Sequence, residues 1–296
     1  MNDTVGLALP GRRVIVTGAG AGLGASYAQA VAAQGAAVIV NDLDPSHAEE
    51  TAEIIRSRGG VAKAFAGDVA DWKFAEELVQ FATIELGGLD GLVNNAGIIG
   101  TVGPMLETDP SAAEAVLRVN VLGTIYPSTH AARAMAAGGG SIVNVTSGNQ
   151  SGHLGFATYG ASKGAVSTLT YAWAIELIQQ NIRVNAISPN AQTQMTDDLE
   201  TQLGFNPEER LYPSAADNAA VVVYLLSDKS KRVNGQVVRV DYKKLSITSH
   251  PMIVSPRVDI DYTVDTIAQI FARELSERLQ PCGISIASVA HLEQLY

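Results

Sequence analysis

The sequence alternates short apolar runs with longer segments of helical pattern, and this alternation constrains the fold more than any other feature. Most of the seven runs are apolar at consecutive positions rather than at every second one. Strands of that kind are buried on both faces, as in a parallel sheet covered by helices. Right-handed crossovers then predict an α/β fold, a doubly wound parallel seven-stranded sheet with helices on both faces. The predicted strands are 14–16, 38–40, 62–66, 89–93, 141–145, 183–187 and 236–240, and the predicted helices are 22–34, 46–58, 71–86, 111–137 and 158–180.

The length of 296 residues fits one large domain followed by an extension. We place the domain at residues 1–245 and a C-terminal extension at 246–296, where apolar residues at helical spacing predict a helix over 263–279. An extension of this size is too small to form a core of its own. It either packs on its own subunit or reaches over the substrate cleft or into a neighbouring subunit's site.

Charge and composition exclude several classes of function. Acidic residues outnumber basic ones 30 to 20, and the net charge of −10 argues against binding nucleic acid or an anionic membrane surface. No apolar run reaches the length of a membrane span, and residues 1–10 lack the features of a signal peptide. The single cysteine, Cys282, excludes an internal disulfide, so we expect a cytoplasmic protein. The five histidines lack metal-ligand spacing, and no metal is expected.

A glycine-rich turn joins the first predicted strand to the first helix. Residues 17–24 read Thr-Gly-Ala-Gly-Ala-Gly-Leu-Gly. Glycines permit a tight turn and a close approach of backbone to a pyrophosphate, while the helix N-terminus offers free N–H groups to the anion. The turn therefore predicts a dinucleotide site of the Rossmann type. The residues expected to contact the cofactor there are Gly18, Ala21, Gly22, Leu23 and Gly24.

An acidic residue, Asp42, closes the second predicted strand, 18 residues beyond Gly24. A carboxylate at this place can accept hydrogen bonds from both ribose hydroxyls of an adenosine, and it repels a 2′-phosphate. The next residue is Leu43 rather than arginine, and the glycine turn contains no basic residue. The expected cofactor is therefore NAD rather than NADP. The alternative that Asp42 only caps the following turn stays open.

Four polar residues of later segments form a candidate catalytic group. Tyr159 and Lys163 stand at positions i and i+4 of a predicted helix and share one face. Ser147 follows the fifth strand, at the sheet edge where ligands of open α/β folds bind. Asn120 lies inside the long fourth helix. Each has an ordinary structural explanation alone, but their combined order along the chain indicates an active site.

In combination these motifs resemble the single-domain short-chain dehydrogenase/reductase family. The resemblance covers residues 11–240 and rests on the Thr-Gly-x3-Gly-x-Gly turn, the Tyr-x3-Lys pair and several short segments. Those segments are Asp68-Val69, Asn94-Asn95-Ala96-Gly97, Asn120, Ser147 and Asn234-Gly235-Gln236.

The resemblance implies an oxidoreductase that interconverts a secondary alcohol and a ketone by hydride transfer. Tyr159 is then the general acid/base, and Lys163 favours its phenolate form and binds the nicotinamide ribose. Ser147 binds the substrate oxygen, and Asn120 holds a water of a proton relay. The further cofactor contacts that the resemblance implies are Asp68, Val69, Asn94, Ala96, Gly97, Pro189 and Thr193, together with Tyr159 and Lys163.

The sequence departs from the family pattern after the sixth strand. The family has Pro-Gly where this chain has Pro189-Asn190. Thr193 follows this pair with one residue fewer between them than the family's threonine has. Asparagine tolerates the left-handed conformation better than most residues, so we expect Asn190 to replace the glycine in that role.

The substrate is weakly encoded. The segments around Ser147 and after the sixth strand are mixed but more apolar than charged, which favours a neutral, bulky alcohol or ketone; candidate contacts are Gln150, His153 and Met195. Short segments resemble the 17β-hydroxysteroid and 3-hydroxyacyl-CoA dehydrogenase branch. The alternatives are an NADPH-dependent 3-oxoacyl-carrier-protein reductase and, in another class, a non-catalytic NAD-sensing regulator. Family habit further implies a homo-oligomer, a dimer or tetramer.

Overall fold

The structure, a computed structural model, describes residues 6–190, 215–241, 243–253, 255 and 263–275. Its strands are β1 (Arg13–Val16), β2 (Ala37–Val40), β3 (Val61–Ala64), β4 (Gly91–Asn94), β5 (Gly140–Val145), β6 (Ile182–Ser188), β7 (Val237–Asp241) and β8 (Lys244–Ile247). They form one sheet in the order β3-β2-β1-β4-β5-β6-β7-β8. The first seven strands pair in parallel, which confirms the predicted fold, whereas β8 pairs antiparallel with β7.

Helices cover both faces of the sheet, as the strand pattern predicts. They are α1 (Gly22–Ala33), α2 (Pro45–Ser57), α3 (Trp72–Leu86), α4 (Pro110–Leu117), α5 (Gly123–Met135), α6 (Ala157–Glu176), α7 (Ala215–Leu226) and α8 (Val264–Ile270). The long helix predicted over 111–137 is present as a continuous helical segment, within which a π-helical turn, Arg118–Leu122, lies between α4 and α5. Helix α7 was not predicted at all. The described part of α8 is shorter than the predicted helix over 263–279.

The core has two halves, one on each face of the sheet. In β1, Val14 and Val16 pack with Tyr27 of α1, whereas Ile15 packs with Leu78 of α3. All three β1 side chains are buried, as alternating side-chain directions require in a sheet covered on both faces. No helix within the described ranges combines the length and apolar character that crossing a membrane requires.

The eighth strand was not predicted, and it corrects the predicted seven-stranded sheet. Lys244 pairs with Asp241, and Ile247 pairs with Val238. All four residues of β8 are exposed, and the polar-apolar alternation of Lys-Leu-Ser-Ile is too short to predict a strand from the sequence. The domain boundary predicted after residue 245 falls inside this strand.

The sheet places its site at one edge. The chain passes from β1 to β2 on one side and later returns to β4 on the other, so the strand order reverses between β1 and β4. Open α/β sheets bind ligands in the crevice at the carboxyl ends of the strands beside such a reversal. The segments that follow β1, β4, β5 and β6 meet at this edge.

An ion pair at the opposite edge fixes the start of β1. Arg13 Nε donates to Asp90 Oδ2 over 2.6 Å, and Nη2 donates to Oδ1 over 2.7 Å. Partial burial of Asp90 opposes its ionisation, but the hydrogen bonds and charge of Arg13 outweigh this and hold the pKa of the carboxyl below its ordinary value.

We expect Asp90→Asn to lower the free energy of unfolding by about 1–3 kcal/mol at neutral pH, because Arg13 loses a charged acceptor. A folded-state pKa below the unfolded one gives a contribution that is present above the unfolded pKa and lost as pH falls through the folded pKa. Denaturant unfolding at about pH 7 and about pH 3 measures the difference, which should shrink in acid. Asp228→Asn is the control, since Asp228 is highly exposed in its ion pair with Arg12. A loss that is equal at both pH values contradicts the assignment.

Candidate active site

The glycine turn after β1 packs tightly against the segment after β4. Gly18 has a φ of +57°, and a Cβ there would lie 2.7 Å from the Ala96 Cα. A Cβ on Gly24 would lie 2.0 Å from the Gly18 oxygen. Ala21 precedes α1 without a side-chain cap, and Gly22, Leu23 and Gly24 begin the helix. The turn is therefore a backbone cradle of the kind that a dinucleotide pyrophosphate fits.

Polar side chains hold the two halves of this cradle together. The buried Thr17 hydroxyl accepts hydrogen bonds from the N–H groups of Asn95, at 3.1 Å, and Ala96, at 3.2 Å. In return, Asn95 Nδ2 donates to the Gly18 oxygen over 2.8 Å. The Asn-Asn-Ala-Gly segment thus supports the glycine turn through its second asparagine.

The predicted cofactor selector lies beside the turn. Asp42 Oδ2 accepts a hydrogen bond from the Gly20 N–H over 2.8 Å, and Oδ1 accepts one from Asp44 N–H over 3.2 Å. The carboxylate is partly exposed, and the neighbouring Leu43 side chain is 73% exposed. Asp42 therefore caps the turn and also stands next to the glycine cradle, so both sequence interpretations describe its position.

Three of the other predicted cofactor contacts have partners within the protein. Asp68 accepts a hydrogen bond from Ala70 N–H over 2.8 Å and forms an ion pair with Arg118. Val69 is buried against the start of α5. Asn94 is also buried, and its amide donates to Ser128 Oγ and to Asn144 Oδ1, each over 2.8 Å. The Asn94 side chain therefore joins β4, α5 and β5 beneath the cradle.

Ser147, Tyr159 and Lys163 lie together at the carboxyl end of β5. The Tyr159 and Ser147 hydroxyls share a hydrogen bond; burial raises the pKa of Tyr159, and this bond acts in the opposite direction. Lys163 is only 4% exposed, and its Nζ donates to the Val145 oxygen over 2.9 Å. Burial lowers the pKa of Lys163 to about 8. The Lys163 Nζ lies 5.8 Å from the centre of the Tyr159 ring.

Asn120 lies in the π-helical turn between α4 and α5 and is fully buried. Its Oδ1 accepts from Ile98 N–H over 2.8 Å, and its Nδ2 donates to the Ile98 oxygen and to Ser162 Oγ, each over 2.9 Å. A Cβ on Gly97 would lie 3.1 Å from Asn120 Oδ1 and 3.3 Å from Lys163 Nζ. The structure thus brings Asn120 and Lys163 to one small space beside Gly97, and all four predicted catalytic residues to one edge.

The segment after β6 departs from the prediction. The expected left-handed Asn190 was wrong, since Asn181 is the only non-glycine residue with positive φ in the part of the chain that the structure describes. Instead, Asn190 Nδ2 donates to Asp241 Oδ1 over 2.9 Å, and the backbone carbonyl oxygen of Asn190 accepts from Asn218 Nδ2 over 3.1 Å. Pro189 accepts a hydrogen bond from Arg239. Thr193 and Met195 lie outside the described residues.

The two other candidate substrate residues have intramolecular contacts. Gln150 Oε1 accepts a hydrogen bond from the Ser167 hydroxyl. His153 is exposed and packs edge-on against Phe156, with ring centres 5.2 Å apart. A small cavity at the start of α6 is lined instead by residues such as Thr101, Met105, Val116, Gly155 and Thr158. Among the residues with described positions, no cluster of three or more histidine, cysteine or acidic side chains could hold a metal.

Comparison with known proteins gives consistent matches. A family model described as Enoyl-(Acyl carrier protein) reductase matches residues 18–242. A diacetyl reductase, (S)-acetoin forming, of Staphylococcus epidermidis is 33% identical over 251 residues, which cover 78% of this chain and 97% of the relative.

Two solved structures extend the comparison. The crystal structure of a short chain dehydrogenase from Mycobacterium avium has a TM-score of 0.81 at 32% identity, covering 93% of this chain and 98% of that chain. A gluconate 5-dehydrogenase from Burkholderia cenocepacia, in complex with NADP and tartrate, has a TM-score of 0.73 at 31% identity, covering 80% and 96%. The Mycobacterium avium match therefore covers a larger share of this chain than the other.

The buried Lys163 ammonium destabilises the fold below its own pKa. A folded-state pKa of about 8 lies below the ordinary 10.5, so the unfolded chain binds more protons between these values and stability rises with pH through that window. We expect Lys163→Met to raise the free energy of unfolding by about 1–3 kcal/mol at neutral pH, with the gain shrinking towards about pH 10. Thermal or denaturant unfolding across this pH range tests it, with the exposed Lys73→Met as control. A destabilised Lys163→Met protein at neutral pH contradicts it.

Proposed function

From the premise that the chain belongs to the short-chain dehydrogenase/reductase family, we propose that it is an NAD(H)-dependent enzyme interconverting a secondary alcohol and its ketone. The observation that carries the proposal is the grouping of Ser147, Tyr159, Lys163 and Asn120 beside the glycine cradle. A regulator that only senses NAD needs the cradle but has no use for this group. The non-catalytic alternative is therefore kept only as an outcome of the tests below.

The glycine cradle and the catalytic edge fit a nicotinamide dinucleotide. The backbone of residues 18–24 would hold the pyrophosphate, Asp42 the adenosine ribose, and Lys163 the nicotinamide ribose. When bound, the nicotinamide supplies or accepts the hydride. We favour NAD over NADP because Asp42 places a negative charge beside the cradle and Leu43 brings no compensating cation. NADP in the Burkholderia cenocepacia enzyme shows that such a fold also accommodates the phosphorylated form.

Tyr159 carries the proton of the proposed reaction. Burial raises the pKa of its phenol, so Tyr159 Oη is protonated at neutral pH and can donate to the oxygen of a ketone undergoing reduction. Ser147 Oγ, hydrogen-bonded to Tyr159, lies where it can donate to the same oxygen and stabilise its developing charge. In the direction of oxidation Tyr159 must give up its proton, and the neighbouring Lys163 cation favours the resulting phenolate.

Asn120 prepares the path by which that proton is replaced. Its amide is fixed by Ile98 and Ser162, so it cannot rotate without breaking three hydrogen bonds. Asn120 and Lys163 border one small space, which suits a water relay from Lys163 Nζ towards solvent.

The proposed substrate is neutral, bulky and largely hydrophobic. Met105 lines the cavity at the start of α6, and the exposed apolar side chains Leu106 and Leu154 stand next in sequence to other lining residues. A hydroxysteroid or a 3-hydroxyacyl thioester has the apolar surface that such a rim can bury. The NADPH-dependent 3-oxoacyl-carrier-protein reductase remains the alternative of the same class. We further propose a cytoplasmic homo-oligomer, a dimer or tetramer, which binds no nucleic acid.

One prediction of the proposed function concerns the proton donor. Tyr159→Phe should leave NADH binding within about twofold and lower kcat by about 10²–10⁴-fold, because it removes the phenolic hydroxyl that carries the proton. Reduction of NAD⁺ and NADP⁺ is followed by nicotinamide absorbance with steroid alcohols, 3-hydroxyacyl thioesters and aryl carbinols, and Tyr224→Phe on α7 is the control. Turnover that survives Tyr159→Phe refutes the assigned acid/base. NADH binding by a wild-type protein without turnover on the panel favours the regulator.

The second prediction concerns cofactor choice. The wild-type protein should prefer NAD⁺ over NADP⁺, and Asp42→Ala should reduce the ratio of their kcat/KM values by about tenfold or more, because a repulsive charge is removed. Asp44→Ala is a matched control, since Asp44 also accepts hydrogen bonds from backbone N–H groups, but as the N-cap of α2. Both variants lose a cap, so only the cofactor ratio separates them. An unchanged ratio in Asp42→Ala would leave Asp42 as a cap alone.

A further inference from the structure

The first residues after β8 contact the helix that carries Tyr159 and Lys163. The Thr248 N–H donates to the Val237 oxygen over 2.9 Å and continues the ladder of β8. Two residues later, the His250 ring stacks on the ring of Tyr171, with centres 4.0 Å apart and planes inclined by 34°. His250 lies beyond residues 18–242, which the family model matches. This contact therefore involves a residue outside the segment that the family model matches.

A series of neighbouring side chains leads from Tyr171 back towards the active site. Tyr171 stands four residues after Ser167 on α6, so the two side chains lie on one face of the helix, where Ser167 acts on the Tyr171 phenol. Ser167 is buried one helical turn after Lys163, and its hydroxyl is hydrogen-bonded to Gln150 Oε1. The three side chains Tyr171, Ser167 and Gln150, which we call the bracing chain, thus join α6 to the segment after β5.

Gln150 belongs to the turn that positions Ser147. This turn is the 3₁₀ segment Gly148–Ser151, and Ser147 is its N-cap. The Gln150 N–H donates to the Ser147 oxygen, and the Asn149 N–H donates to the Ser147 hydroxyl, each over 3.2 Å. Movement of Gln150 would therefore change the geometry around Ser147 Oγ.

We propose that His250 is a positioning residue that fixes Ser147 against Tyr159 through the bracing chain. Stacking holds the Tyr171 ring, which holds Ser167 and Gln150 and so the turn capped by Ser147. The catalytic consequence rests on the proposed function, but the fixing of the turn does not. His250 Nε2 is buried without a hydrogen-bond partner among the described residues, so the ring contributes by its flat surface rather than by its polar atom.

The test uses the full-length chain and three substitutions in the same segment. His250→Ala removes the stacking ring, His250→Phe retains a flat ring, and Ile253→Ala changes an exposed neighbour. Amide hydrogen exchange of residues 148–152 should be about tenfold faster in His250→Ala, and within about twofold of wild type in the other two. Exchange of the β1 and β5 amides should be unchanged. Equal exchange in wild type and His250→Ala, or a rise that is uniform over the sheet, would overturn the proposal.

Kinetic measurements then show whether the bracing chain contributes to the reaction. His250→Ala should lower kcat by about tenfold while the Kd for NADH stays within about twofold, and His250→Phe should restore kcat. Adding His250→Ala to Ser167→Ala should cause no further loss, because both act through one chain. The role is contradicted if kcat is unchanged in His250→Ala, or if the double variant loses kcat by the full product of the two single losses. If the wild type shows no turnover on any substrate, the proposed function fails, and the exchange experiment still decides whether His250 fixes the turn.

Discussion

The whole site depends on a close approach of backbone between the turn after β1 and the segment after β4. The approach is so close that side chains at Gly18 or Gly24 would collide with backbone. Thr17 and Asn95 make it stable by satisfying the polar groups that the approach buries. Because β1 and β4 are neighbours at the reversal of strand order, this one contact places the nucleotide cradle beside Gly97, and thus beside Lys163 and Asn120. The cradle is thus positioned by β1 and β4, and the proposed catalytic group lies beside it at the end of β5 and on α6.

Two of the proposed catalytic side chains, Lys163 and Asn120, are buried and fixed by hydrogen bonds to neighbouring groups. Lys163 donates a hydrogen bond to a backbone carbonyl, but its burial destabilises the charged form and lowers its pKa. Asn120 stands in a π-helical turn, a departure from regular geometry that is common at functional sites. Both features lower the stability of the fold locally, and the surrounding apolar core offsets that loss. The site is thus stabilised by its scaffold rather than by its own contacts.

Much of this architecture was predictable from sequence because it follows from burial. Runs such as Val14–Val16 are apolar at successive positions, which only a covered parallel sheet explains, and the glycines of the first turn announce the cradle. The same logic could not reveal β8, whose four residues are exposed and are held by backbone pairing. It also missed the π-helical turn, because the apolar spacing of residues 111–137 fits one continuous helix. For Asn190, the tolerance of asparagine for the left-handed conformation was the wrong argument. Its side-chain amide and its backbone carbonyl oxygen are both hydrogen-bonded to other segments.

The short antiparallel strand at the end of the sheet changes what a neighbouring molecule meets. Among the residues that the structure describes, the outermost hydrogen-bonding groups at this end of the sheet belong to Lys244–Ile247 and not to β7. Any molecule that approaches this side therefore stands farther from β7 by one strand spacing, about 4.8 Å. The new edge is only four residues long and begins with a lysine, two features that discourage uncontrolled strand-to-strand growth. At this end of the sheet, an approaching strand would therefore meet a shorter and more polar edge than β7 would present.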